Sequence, residues 1–236
     1  IQTTDPSAIY DELRDRFKHT CETEKCWIDT QIGGMNADNV ASLTKIKNET
    51  FAPSAPATWK KNAREWLSDA DISKVMHQYE KAYPCFTFIG PTPIDFDTAR
   101  IDNVLIWTEV AEFDAKQYLE KGIHKIGFIF NTDVSTGEGQ HWISLFVNLK
   151  TETASYFDSL GHDMPRQIAT FIHRLPVTTI ETSSVAHQRR NTECGVYSLY
   201  FIVNMLLDKT SMRQLKQKRI GDDEMQQFRD VFFNLE

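Results

Sequence analysis

The stretch His187-Gln188-Arg189-Arg190-Asn191-Thr192-Glu193-Cys194-Gly195-Val196-Tyr197-Ser198-Leu199-Tyr200-Phe201 changes character at its cysteine. Before Cys194 it is polar and turn-prone. After it, Val196 to Leu207 is apolar except for Ser198 and Asn204, a run that predicts a helix buried on most sides. Asn191 and Thr192 are candidate caps for its start. Cys194 then sits at a helix N-terminus, where free N–H groups and the helix dipole favour thiolate over thiol. The same N–H groups suit a developing oxyanion. A buried cysteine that merely opens a core helix is the plain alternative, so its partners decide the reading.

A thiol nucleophile needs a base, and the base needs an orienter. His141 opens a strong strand pattern, His141 to Leu149, directly after a polar loop over 131–140 that contains Gly137 and Gly139. Asp158 closes the shorter strand pattern Ala154 to Phe157, 17 positions on (158 − 141). If the two strands pair as a hairpin, Asp158 can accept the imidazole N–H and fix its tautomer. Gln188 lies six positions before Cys194 (194 − 188), and its amide can complete an oxyanion hole with the Cys194 backbone N–H. By residue type alone His187, His162 and His124 are rival bases. Asp158-Ser159 before Gly161 also reads as a simple turn, and Gln188 as a solvated side chain.

Outward from these residues, the pattern over 1–83 is mostly helical. A charged segment runs from Asp11 to His19, Gly33-Gly34 is a break, and Ala37 to Ile46 is a weak helix. Pro53 and Pro56 mark a linker. Thr58 to Leu67 and Asp71 to Tyr83 read as helices. After Pro84 the period changes. Phe86 to Ile89 reads as a strand closed by Gly90-Pro91-Thr92-Pro93, and Val104 to Trp107 as another. Val110 to Lys121 reads as a helix ended by Gly122, and Lys125 to Phe130 as a buried strand. Met164 to Leu175 is a helix, Val177 to Glu181 a strand, and Ser211 to Lys218 and Asp222 to Phe233 two surface helices. The expected fold class is α+β: a mixed β-sheet flanked by helices, a central helix that carries Cys194, and a helical N-terminal arm over 1–57 ahead of a domain over 58–236.

The 236 residues are 41% hydrophobic, enough for a substantial core. A net charge of −7 argues against a strong, sequence-independent nucleic-acid partner. No apolar run approaches the roughly 18 residues of a membrane span, so membrane insertion is not expected. The chain begins at Ile1, as a trimmed or processed product would, and shows no signal peptide. Four cysteines, Cys21, Cys26, Cys85 and Cys194, are too few for a disulfide scaffold, and a reducing compartment is the default. His19, Cys21 and Cys26 invite a zinc reading. The spacing is loose and no second ligand pair follows, so small buried thiols and no metal are expected there.

Taken together, His141-Trp142, Asp158 and Gln188-x5-Cys194-Gly195 resemble the adenain and ubiquitin-like-protein-specific protease superfamily of cysteine proteases, whose members run His, Asp, Gln, Cys along the chain. Trp66-Leu67-Ser68-Asp69-Ala70-Asp71-Ile72 resembles the Trp-Leu-x-Asp-x-x-Ile stretch of the SUMO proteases. Asn131 to Trp142, His187-Gln188-Arg189 and Thr192-Glu193-Cys194-Gly195 resemble the maturation proteases of large DNA viruses, as do the arm around Cys21 and Cys26 and the tail Arg219 to Met225. One departure stands out: a member of that viral branch has Asn in the third role, whereas Asp158 is closer to the pattern of the cellular deconjugases.

The resemblance implies an adenain-like cysteine endopeptidase with Cys194 as nucleophile, His141 as base and acid, Asp158 as orienter and Gln188 as oxyanion donor. It implies substrate contacts at Trp66, Asp69 and Trp142, and no cofactor. It further implies cleavage of viral capsid or core polyproteins after Gly-Gly-type sites, in virions and at the assembly site in host cytoplasm, with a viral partner for the arm. Three alternatives stand beside it: a deconjugase of ubiquitin-like proteins, an acyltransferase with the same Cys–His–Asp set, and a binding module with a dead site.

Overall fold

The computed structural model describes residues 4–21, 24–32, 38–43 and 52–234. The chain forms two compact units, Ile1–Pro53 and Ser54–Glu236. In the first, helix α1 (Pro6–Phe17) starts at Asp5, whose carboxylate accepts from the Ser7 and Ala8 amides. Helices α2 (Glu24–Ile32) and α3 (38–43) follow. Phe17, Cys21 and Trp27 form its small core. The expectation of free thiols is overturned: Cys21 and Cys26 are joined by a disulfide, their Cα atoms 5.5 Å apart. A five-residue separation across the start of α2 brings the two sulfurs together, which leaves neither as a thiolate for a metal. The break expected at Gly33-Gly34 lies outside the described residues, as do the ends of the weak helix over 37–46.

In the second unit the expected linker is tied down. Ser54 bridges to Asn234, and the Ala55 amide donates to the Asn234 carbonyl. The helix expected from Thr58 to Leu67 is only a 3-10 turn, Ala57–Lys60. The Asn62 side chain accepts from the Arg64 amide and turns the chain away. The Ser68 and Asp71 side chains then form a reciprocal capping box, so the next helix, α4 (Asp69–Ala82), begins at its own cap.

Strand β1 (Phe86–Pro93) continues through the expected stop. Its register shifts between Ile89 and Thr92, and an edge strand tolerates Pro at such a bulge. A small hairpin, β2 (Arg100–Ile101) with β3 (Val104–Leu105), comes next. The helix expected over Val110 to Lys121 is split into α5 (Thr108–Ala111) and α6 (Ala115–Glu120), because Asp114 caps a new start through the Lys116 amide. Then come β4 (Lys125–Asn131), β5 (Trp142–Asn148), β6 (Thr153–Phe157), α7 (Arg166–Ile172), β7 (Thr179–Glu181), α8 (Cys194–Leu206), α9 (Met212–Gln217) and α10 (Asp222–Phe232).

The main sheet has the order β1-β4-β5-β6-β7. β4, β5 and β6 are antiparallel neighbours, and the outer pairs β1–β4 and β6–β7 are parallel. Continuous apolar runs in β4 and β5 suit strands covered on both faces. One face packs against α4, α8 and the C-terminal helices, the other against α5, α6 and α7. The helices α9 and α10 are not simple surface helices. Met212 and Leu215 of α9, and Met225, Arg229 and Phe232 of α10, are buried against the α8 side.

Helix α8 lies so close to the sheet that Gly127 of β4 has no room for a side chain. A Cβ there would stand 2.8 Å from Cγ2 of Ile202 and 3.2 Å from the Phe86 ring. Gly127→Ala should therefore overpack this layer and lower unfolding stability by about 1–3 kcal/mol in urea titrations. An unchanged midpoint would show that the layer yields without strain.

Candidate active site

The site is built where β5 and β6 end beneath the first turn of α8. In the β5–β6 ladder Ser144 faces Phe157, so the residues just beyond, His141 and Asp158, leave the sheet together. His141 lies one residue before β5, anchored by its carbonyl, which accepts from the Thr132 amide. Its Nε2 is 2.7 Å from Oδ1 of Asp158, as the hairpin pairing predicts. Asp158 is 2% exposed and also accepts from the Leu160 amide at 2.8 Å. Cys194 lies near enough to the same imidazole to help raise its pKa. With Nε2 committed to Asp158, Nδ1 is the nitrogen left for the thiol.

Burial of His141 disfavours its charged form. The hydrogen bonds and charges of Asp158 and Cys194 outweigh that effect and raise its pKa from 6.5 to about 9. The imidazolium is therefore the favoured form of His141 at neutral pH, beside the buried Asp158 carboxylate.

Cys194 is 2% exposed and is the first residue of α8. The expected caps Asn191 and Thr192 do not serve. Glu193 occupies the cap position and gives no side-chain hydrogen bond to the helix, while Thr192 Oγ1 donates to Oε1 of Glu193. The first turn thus lacks a side-chain acceptor for its amides, which leaves them available to an anion. Gly195 has a packing reason: a Cβ there would stand 2.9 Å from Cβ of Leu67. The first turn of α8 is pressed against the segment that precedes α4.

Gln188 is buried. Its Oε1 accepts from Ser159 Oγ at 2.7 Å, its amide N–H donates to the Ser159 carbonyl at 2.8 Å, and its Nε2 donates to the Arg190 carbonyl. Ser159, the residue after Asp158, was not singled out by sequence reasoning. Its only sequence signal was that adjacency. The rival bases are otherwise engaged. His187 is buried, accepts from the Ile220 amide at Nδ1, and has its pKa lowered by burial and by Arg219. His162 is exposed and lies 3.5 Å from the other oxygen of Asp158, and His124 contacts the Gly122 carbonyl.

Beside His141 a cavity of about 490 Å³ is lined by Trp66, Asp69, Trp107 and Trp142, together with the loop over 131–140. Trp66 is 43% exposed, whereas Trp142 is 8% exposed and donates from Nε1 to the Leu67 carbonyl at 3.0 Å. Asp69 is exposed at the first turn of α4. The structure thus brings Trp66, Asp69 and Trp142 to one cavity with His141, and adds Trp107, which no local pattern marked.

A thiol at a helix start, coupled through an imidazole to a buried carboxylate, is the arrangement of a thiol hydrolase, and the chain is a cysteine protease. Residues 71–235 match the Ulp1 protease family, C-terminal catalytic domain, and the chain belongs to that family. A thiol protease of Acanthamoeba polyphaga mimivirus is 27% identical over 245 residues, covering 98% of this chain and 75% of the relative. The SUMO-1 cysteine protease of an African swine fever virus isolate is 26% identical over 229 residues, covering 91% of this chain and 84% of the relative. The crystal structure of the African swine fever virus protease superposes with a TM-score of 0.72 at 22% identity, over 100% of this chain and 94% of that one, which shows the shared fold.

The raised pKa of His141 has a signed consequence. The folded state holds this proton more tightly than the unfolded chain does. The resulting stabilisation is complete below 6.5 and is lost as pH rises through about 9. Urea unfolding across that window should show a decline that His141→Gln flattens. Parallel pH profiles for the two proteins would remove the ion-pair description.

Proposed function

We propose that this protease is an endopeptidase that cleaves viral structural polyproteins after Gly-Gly-type sites during virion maturation. Cys194 attacks the scissile carbonyl. His141 takes and returns the proton, Asp158 holds the imidazole, and Gln188 with the Cys194 N–H stabilises the oxyanion. The observation that carries these roles is the 2.7 Å bond from His141 to Asp158, with Cys194 opening helix α8 beside the same ring. Viral cysteine proteases that match more than nine-tenths of this chain support a viral setting, and the virion and the assembly site in host cytoplasm are proposed as its place of action. The unit Ile1–Pro53 is proposed to bind substrate or a viral partner.

Trp66 and Trp142 are proposed to flank the residue before the cut. Two indoles at one cavity leave space for a peptide backbone but little for a substituted Cβ, so glycine passes and larger residues do not. The exposure of Trp66 favours a wall over a core role. One observation favours a second reading, a deconjugase of ubiquitin-like proteins: the matching African swine fever virus relative is named a SUMO-1 cysteine protease. A modifier–fluorophore hydrolysed far faster than a Gly-Gly peptide would select that reading.

Cys194→Ala should abolish hydrolysis of Gly-Gly peptides and of capsid or core precursors while the fold is kept, and Asp158→Asn should retain more activity than Asp158→Ala because Asn still accepts the imidazole N–H. Residual turnover in Cys194→Ala would end the nucleophile assignment, and an Asn variant no better than Ala would end that of Asp158. Trp66→Ala should leave thermal stability almost unchanged, lower kcat/KM and relax the preference for Gly over Ala before the cut. Intact discrimination in the folded variant would count against the wall.

A further inference from the structure

The six-residue step from Gln188 to Cys194 must hold two oxyanion donors at a set distance, yet it contains no regular structure. Helix α10 grips it at both ends. At the first end, the buried Asp222 accepts the amides of Arg189 and Arg190 at 3.1–3.2 Å. Its Oδ1 also accepts from the Tyr197 hydroxyl at 3.2 Å, which ties the same carboxylate to α8 one turn beyond Cys194. Arg190 is the residue whose carbonyl accepts from Nε2 of Gln188. At the second end, Arg229 donates from Nε to Glu193 at 2.9 Å, with both side chains buried. One of its terminal nitrogens, Nη2, reaches the carbonyls of Glu65 and Thr192 at 2.8 and 3.3 Å, and its guanidinium lies 4.5 Å from the centre of the Trp59 ring.

A buried ion pair is a weak source of stability, because desolvation offsets much of the attraction. As a geometric tie it is rigid: a planar guanidinium with several engaged N–H groups has one orientation. Four loop residues, Arg189, Arg190, Thr192 and Glu193, are held by two side chains on the same face of a single helix, about two turns apart.

We infer that α10 is a clamp that sets the oxyanion geometry, with Asp222 and Arg229 as positioning residues: Asp222 fixes Gln188 through Arg190, and Arg229 fixes the Cys194 amide through Glu193. The inference rests on the proposed oxyanion role of Gln188. Both act through other residues and touch neither thiol nor imidazole.

The test uses Asp222→Asn, a substitution of equal size that turns an acceptor of two amides into a mixed donor and acceptor. Active sites are counted by stoichiometric thiol labelling of Cys194, and peptide hydrolysis is measured per site. Asp222→Asn should lower kcat about 10- to 100-fold, with KM within about threefold, less than the roughly 100- to 1000-fold cost of removing an oxyanion donor outright because the donor is misplaced and not lost. The double variant Gln188→Ala/Asp222→Asn should be no slower than Gln188→Ala alone, since Asp222 acts through that residue. Arg229→Lys, which keeps the charge, should retain more kcat than Arg229→Met, and it serves where the Met variant does not fold. Unchanged kcat per site in Asp222→Asn, or fully multiplicative losses in the double variant, would overturn the clamp. If Gln188→Ala itself left kcat intact, the oxyanion role would fail instead, a result the single variants distinguish.

Discussion

Helix α8 packs so closely on its surroundings that glycine is needed where it crosses β4 and where its first turn meets Leu67, and this packing sets Cys194 beside His141. Everything near the site is arranged around that closeness. Gly127 clears the strand beneath the middle of the helix, and Gly195 clears the segment at Leu67 beside its first turn. Neither glycine sits in a left-handed turn; each is there because another side chain occupies the space a Cβ would need. The close approach also removes water from Cys194, Asp158 and Gln188. Charges in such a place interact more strongly than at a surface, which is why the His141 proton is held despite burial.

The sheet supplies the other half of the geometry. Antiparallel pairing of β5 with β6 puts the start of one strand beside the end of the next. A residue just outside each strand then meets its neighbour without any loop to position it. His141 and Asp158 occupy those positions, and the carboxylate is held again by the Leu160 amide. The strand frame makes the acid–imidazole contact rigid, and the adjacent Ser159 passes the same rigidity to Gln188. Asp158 and Gln188, 30 residues further on (188 − 158), are thereby joined through Ser159.

On the far side of the cysteine the polar interactions take over. Asp222 and Arg229 hold the loop over 188–194 from beneath, Asp222 through the Arg189 and Arg190 amides and Arg229 through Glu193, which Thr192 also contacts. A loop with no ladder of its own must satisfy its amides from elsewhere. Here the α10 carboxylate of Asp222 accepts the Arg189 and Arg190 amides, and the guanidinium of Arg229 donates to the Thr192 carbonyl. This explains why a helix read as a surface element from its acidic first turn and polar composition has a fully buried arginine.

Much of this protein was determined by local sequence. The strands at 125–131, 142–148 and 153–157 and the helix from Cys194 were legible because their burial is continuous, and a continuous apolar run carries its own signal. His141, Asp158 and Cys194 could be picked out because each stands beside such a run, whereas Gln188 lies in a loop and was marked only by its spacing to Cys194. Tertiary structure alone decided the rest. Thr58 to Leu67 has helical composition, but the Asn62 turn and the Ser68 capping box end it early. Cys21 and Cys26 read as separate thiols until the fold of the arm set their Cα atoms 5.5 Å apart. Trp107 joined Trp66 and Trp142 at one cavity, and Asp222 and Arg229 joined the loop before Cys194, across more than thirty residues of chain. The physical reason is common to all of these. Periodicity reports which face of an element is buried, but not what it is buried against; that is fixed by register and packing between distant segments, which no local pattern encodes.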